Sequence, residues 1–124
     1  MENAAWHFLC VAKLSAIDKA RQSLLEIGTD KRVPLMEVYA LYAGKARPDD
    51  VLAAARAGKP GADELNERLF YGHLYLGLYA DVAGDRKQAV EHLTKAAEDH
   101  KIDHYMWDVA RIHLAVLRKE AKPQ

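Results

Sequence analysis

Apolar residues recur at intervals of three and four along almost the whole chain, as they do on one face of an α-helix. No segment shows the sustained alternation of apolar and polar residues that is typical of a half-buried β-strand. The pattern therefore predicts an all-α fold, which glycines and prolines divide into helices. The seven predicted ranges are 4–14, 16–27, 34–43, 51–57, 63–83, 85–99 and 103–119.

Glycines and acidic residues mark the ends of these helices. Gly28 is expected to end the second helix in the left-handed conformation that glycine adopts at low cost, and Gly44 and Gly84 are expected to end the third and the fifth. Asp85 and Gln88 have the spacing of a capping box at the start of the sixth helix. Such short connections predict antiparallel helices that pack in sequence order.

The second half of the chain contains a repeat with a period of 34 residues. Its characteristic residues are Leu76, Gly77, Ala89 and Ala96, at positions 7, 8, 20 and 27 of a unit that begins at Phe70. One period further along, Trp107 falls at position 4. This pattern resembles the tetratricopeptide repeat, a helix–turn–helix unit with tryptophan at position 4, Leu-Gly at positions 7 and 8 and small residues at positions 20 and 27.

The resemblance implies a short α-solenoid of about three helix pairs that ends in a C-terminal capping helix. A degenerate repeat spans 4–32, a truncated helix pair 34–58, a well-matched repeat 70–103 and the capping helix 104–119. His73 departs from the signature, because position 4 usually holds a large apolar residue. The truncated pair followed by the well-matched repeat is also similar to bacterial repeat proteins of the exported lipoprotein type, whose members act as adaptors for envelope enzymes.

The resemblance also implies a binding groove. In tetratricopeptide proteins the first helix of each pair lines the concave face, and positions 2, 5, 9 and 12 project into it. Carried over to this chain, these positions are Tyr71, Leu74, Leu78 and Asp81 of the well-matched repeat, and Tyr105, Asp108 and Ile112 of the capping helix. Apolar anchors with carboxylates at the edge suit a peptide or helix of a partner protein. We therefore predict an interaction module or adaptor, or alternatively an oligomerisation module whose groove is filled by a second copy.

Length and charge limit the other function classes. The 124 residues suit a single domain over 1–124, and 18 basic against 18 acidic side chains create no field that would attract nucleic acid or an anionic membrane. Cys10, the only cysteine, excludes an internal disulfide and is expected to be a buried small hydrophobe. No stretch suits membrane insertion or an export signal. The sequence as it stands predicts a cytoplasmic protein, or an exported or envelope-anchored one if it is a piece of a longer chain.

Few residues suggest chemistry. His100 and His104 have the i,i+4 spacing of zinc ligands, but they lie on either side of a predicted turn, so we expect solvent-facing or cap-forming roles. Tyr71, Tyr75 and Tyr79 form a stripe without interleaved basic residues, which favours packing between helices over stacking on bases. We therefore predict no enzyme activity, no metal and no cofactor.

Overall fold

The computed structural model describes residues 1–121, and in that part of the chain all regular secondary structure is helical, without a β-strand. The predicted all-α class and the seven α-helices are confirmed, while residues 122–124 of the predicted domain lie outside the described range. The helices are α1 (Glu2–Leu14), α2 (Ile17–Gln22), α3 (Leu35–Tyr42), α4 (Pro48–Arg56), α5 (Ala62–Val82), α6 (Arg86–Thr94) and α7 (Tyr105–Ala121), with a π-helical turn, the π turn, at Lys95–Asp99.

Helix α5 is the centre of the fold. It contacts α1, α3, α4 and α6, and its buried side chains lie on every side of the helix between Leu69 and Ala80. A helix that is apolar all round is a buried helix rather than an amphipathic surface helix. The remaining helices pack in sequence order, α1 on α2, α3 on α4 and α6 on α7, as their short connections predict.

The junction between α5 and α6 follows the predicted helix signals. Gly84 has a φ of +83°, and its N–H donates to the carbonyl of Asp81 at 3.1 Å. The Asp85 side chain accepts from the N–H of Gln88 at 3.1 Å, which caps α6. The N–H of Asp85 already donates to the carbonyl of Ala80 at 2.9 Å, so only half of the predicted capping box forms.

Small residues let α5 and α6 approach each other closely. A Cβ atom added to Gly77 would lie 2.6 Å from Cγ of Leu93 and 3.3 Å from the carbonyl oxygen of Ala89. Ala89 and Ala96 are themselves fully buried. The small residues at positions 8, 20 and 27 of the repeat therefore lie at helix contacts and not at cavities in the core.

The predicted end of the second helix is wrong. Helix α2 ends at Gln22, and Gly28 does not adopt a left-handed conformation. The Ser23 hydroxyl donates to the carbonyl of Lys19 at 2.9 Å, and a side chain that bonds to the backbone in this way competes with continuation of the helix. The irregular segment that follows is held by the hydroxyl of Tyr39, which donates to the carbonyl of Leu25 at 2.9 Å.

Candidate functional site, a cleft between three helices

An apolar cleft with a volume of about 370 Å³ opens to solvent between α1, α5 and α7. Its accessible lining is almost entirely apolar, which is typical of surfaces that bind apolar groups. The residues that line it are Trp6, Leu9, Cys10, Lys13 and Leu14 of α1, Leu78, Asp81 and Val82 of α5, and His113 of α7.

Asp81 links the two walls of the cleft. Its carboxylate accepts from Nε2 of His113 at 3.0 Å, and Nζ of Lys13 lies 3.9 Å away. The Lys13 side chain is 70% exposed and this separation is at the outer limit of an ion pair, so its ammonium group remains available to a second carboxylate. The charged groups at the cleft thus combine a satisfied internal pair with an accessible cation.

Aliphatic side chains are exposed both in the cleft, at Leu14, and elsewhere on α7. Leu14 at the end of α1 is 87% exposed, and Ile112 and Val116 of α7 are 55% and 48% exposed. Ile112 and Val116 are one helical turn apart and lie beside His113 on the surface of α7. Single exposed leucines are ordinary, but a contiguous apolar surface indicates a binding site.

Two of the predicted groove residues are core residues. Leu74 is 0% exposed and Leu78 is 3% exposed, so neither projects freely into a groove. The reason is that α1 and α3 both pack on α5, where the resemblance implies an open concave face. Leu78 still forms part of the base of the cleft. Tyr71 is half-buried and lines a separate cavity with a charged lining, between α5 and the segment before α3.

The other predicted groove residues divide between the cleft and the exposed face of α7. Asp81 lies in the cleft, whereas Ile112 is exposed on α7, outside the set of residues that line the cleft. Asp108 is exposed and pairs with Arg111 at 3.1 Å. Tyr105 is exposed at the start of α7, where it borders a different depression. The structure therefore brings Leu78 and Asp81 together in the cleft and leaves the remaining predicted residues outside it.

The tyrosine stripe packs between helices, as predicted. Tyr75 is fully buried, and its hydroxyl donates to the carboxylate of Glu2 at 2.8 Å. Burial, and then the charge of Glu2, raise the pKa of Tyr75 well above its ordinary value. The hydroxyl of Tyr79 accepts from the guanidinium of Arg21 at 2.6 Å, which ties α2 to α5.

A cluster of three histidines, here called the histidine cluster, was not predicted from the sequence. It consists of His73 of α5, His92 of α6 and His100, which follows the π turn. Nδ1 of His73 and Nδ1 of His92 are 3.0 Å apart, and the rings of His73 and His100 are parallel with centroids 5.7 Å apart. Burial, and then the neighbouring His92, lower the pKa of His73 to about 3. The only signal in the sequence was a histidine at position 4, where a large apolar residue is usual.

The other residues considered for chemistry have different outcomes. Nδ1 of His104 accepts from the N–H of Met106 at 3.1 Å, which confirms the predicted cap-forming role for this residue. The same prediction is wrong for His100, because its ring is partly buried, stacks on His73 and bonds to the side chain of Asn66. Cys10 is exposed, so the prediction that it is buried is wrong, because the cleft leaves its side of α1 open. Among the described residues, no group of histidine, cysteine and carboxylate side chains is arranged to hold a metal ion.

No protein-family profile, curated protein or solved structure matches this chain. Between residues 1 and 121, none of the helices has both the length and the apolar character that crossing a membrane requires.

Proposed function

We propose that this chain is a short tetratricopeptide-like solenoid that acts as an interaction module or adaptor. Its cleft between α1, α5 and α7 would bind an amphipathic peptide or helix of another protein. The observation that carries the proposal is the cleft itself, which is open and apolar and includes the exposed side chain of Leu14. The 34-residue spacing of Leu76, Gly77, Ala89, Ala96 and the tryptophan that follows supports the solenoid.

The dimensions and charges of the cleft define the partner. A volume of about 370 Å³ accommodates a few aliphatic or aromatic side chains rather than a whole folded surface. The accessible ammonium group of Lys13 favours a carboxylate beside those apolar anchors. The partner segment therefore carries apolar residues along one face and an acidic residue at its edge, and the affinity of so small a site is on the order of micromolar.

The proposal concerns binding without catalysis. The carboxylate of Asp81 is occupied by His113 and Lys13, and the rest of the lining offers apolar contact. Such a surface suits recognition, in which apolar anchors supply affinity and the rim charge fixes the register.

The test is a selection of amphipathic peptides from a displayed library, followed by calorimetric titration of the selected peptides. The variants Leu14→Glu and Val82→Glu each introduce a charge at a solvent-accessible apolar position in the lining of the cleft. We expect each to weaken binding by about tenfold or more, because a carboxylate must then be desolvated against the peptide. The matched control is Leu25→Glu, which changes an exposed leucine in the irregular segment before α3.

The control should bind as the unmodified protein does. Equal binding by the control and by both cleft variants would contradict the proposal. Light scattering tests the alternative: a dimer that becomes a monomer in Leu14→Glu would assign the cleft to a second copy of this chain. A concentration-independent monomer, together with cleft-dependent peptide binding, supports the adaptor.

A further inference from the structure

The histidine cluster lies where three parts of the fold meet. His73 comes from the middle of the central helix, His92 from the last turn of α6, and His100 from the segment that leads to α7. His73 is 2% exposed, while the other two rings are partly accessible. The contact between His73 and His92 is direct, and the ring of His100 is stacked on His73.

The contact between His73 and His92 requires that at least one of these two rings is neutral. Oδ1 of Asn66 can only accept, so the Nδ1–H of His100 donates to it at 3.0 Å. In the contact between His73 and His92, one Nδ1–H donates and the other Nδ1 accepts. A protonated imidazole carries hydrogen on both nitrogens, so the two rings cannot both be protonated while this contact persists. Protonation of both His73 and His92 therefore separates these two rings.

The charged groups around the cluster do not offset the unfavourable free energy of protonating its rings. Arg56 of α4 and Lys95 of the π turn disfavour a positive charge on the cluster. Asp85, which caps α6, and Glu91 of α6 favour protonation of His92, and Asp99 of the π turn favours protonation of His100. Among the described residues, none of these three carboxylates forms a hydrogen bond or salt bridge with a cluster ring. Within residues 1–121, the neighbours that shift the pKa of His73, the most buried ring, are histidines and cations rather than carboxylates.

The segment held by His100 also positions α7. The amide of Asn66 donates to the carbonyl of Lys101 at 3.1 Å, and the indole N–H of Trp107 donates to the carbonyl of Ala97 in the π turn at 2.9 Å. A π-helical turn is a rare conformation, and helical segments in proteins owe most of their stability to tertiary packing. Loss of the contacts of His100 thus removes support from the π turn and from the start of α7.

We propose that the histidine cluster is an acid-sensitive latch, which holds residues 95–104 and the start of α7 against α5 at neutral pH and releases them on acidification. The latch does not depend on what the cleft binds. Burial lowers the pKa of all three rings, that of His73 to about 3, whereas in the released state each returns toward about 6.5. The released state then binds more protons, so the closed state loses stability as the pH falls from about 6.5 toward 3.

The test compares thermal unfolding at pH 7.5 and pH 5.0, between which most carboxylates remain ionised. We expect the midpoint of the unmodified protein to fall by roughly 5–10 °C. In the variants His73→Leu and His100→Gln the midpoint should fall by distinctly less between the two pH values, because one titrating ring has been removed from the cluster. His7→Gln is the matched control, since His7 is exposed on α1, and it should behave as the unmodified protein does.

Two further measurements show which segment is released on acidification and test the latch even if a variant fails to fold. In Trp6→Phe the indole signal comes from Trp107 alone, and its N–H should lose hydrogen-exchange protection at pH 5.0 before α5 does. NMR titration of the rings in the unmodified protein reads the pKa of His73 directly and is independent of whether His73→Leu folds. A pKa for His73 near 6.5 would overturn the latch, as would equal pH sensitivity of His100→Gln and the unmodified protein.

Discussion

At the scale of single residues, two glycines of α5 occupy opposite environments. A Cβ atom at Gly72 would meet Val51 at 3.6 Å and Leu52 at 3.7 Å, which is ordinary contact. A Cβ atom at Gly77 would lie 2.6 Å from Leu93 and close to the backbone of α6. Substituting alanine at each of these two glycines therefore tests whether the close approach of α5 and α6 excludes a side chain at Gly77.

We expect Gly72→Ala to stabilise the protein by about 0.5–1 kcal/mol, because alanine has the higher helix propensity and no contact is strained. Gly77→Ala should destabilise it by about 1–2 kcal/mol, since the cost of displacing Leu93 exceeds the same gain in propensity. Urea unfolding monitored by circular dichroism measures both. Stabilisation by Gly77→Ala would show that α5 and α6 can separate without cost.

The roles of some residues could be predicted from the sequence because they depend on local conformation or on the repeat period. The role of Gly77 at a helix contact follows from the repeat period, and the turn at Gly84 follows from the conformational freedom of glycine. The meeting of His73 with His92 and His100 depends on how α5, α6 and the π turn pack. Contacts between residues so far apart in the chain leave no local pattern in the sequence.

At the scale of elements, the start of α6 contains only one of the two hydrogen bonds of a capping box. The carboxylate of Asp85 caps the helix through the N–H of Gln88, while the N–H of Asp85 closes the end of α5. We expect Asp85→Ala to cost about 1 kcal/mol, and Asp85→Ser to retain most of the stability. Gln88→Ala should change stability by less than about 0.5 kcal/mol, since no reciprocal bond is lost. A loss in Gln88→Ala as large as that in Asp85→Ala would mean that the full capping box forms in solution.

Helix boundaries were predicted well where a cap or a stop dominates and poorly elsewhere. Helix α5 ends at Val82, one residue before its predicted end, because the following glycine adopts the left-handed conformation. Helix α4 begins at Pro48 rather than at residue 51, since proline suits the first turn and the carboxylate of Asp50 accepts from the N–H of Arg47 at 2.8 Å. Early termination of α2 depends on a side-chain hydrogen bond that periodicity does not reveal.

At the scale of the whole molecule, the position of α1 determines which surface remains open. Periodicity identified Leu74 and Leu78 as apolar positions of α5, but it did not determine how closely α1 and α3 would cover them. The open surface is therefore displaced toward the space between α1 and α7. Such coverage is set by the packing of distant helices, so the sequence predicts that an apolar surface exists more readily than it predicts its place.

The arrangement of helices also predicts an uneven distribution of stability. Helix α5 contacts four other helices, whereas α7 packs mainly on α6 and the π turn. A helix at the end of the chain with fewer packed neighbours opens at a lower free energy than the central helix. We expect hydrogen exchange to be slowest in the amides of α5, which exchange through global unfolding. The amides of α7 should exchange through a partial opening whose free energy is about half that of global unfolding or less.

Exchange measured by mass spectrometry over a series of low urea concentrations separates this opening from global unfolding. Leu114→Ala removes a buried side chain of α7 and should lower the protection of α7 more than that of α5. Its matched comparison is Val51→Ala, which truncates a buried side chain of α4 beside the central helix and should lower the protection of α5 and α7 equally. If Leu114→Ala instead lowered protection equally throughout, α7 would belong to one cooperative unit with α5. The wall that α7 contributes to the cleft would then be as rigid as its base.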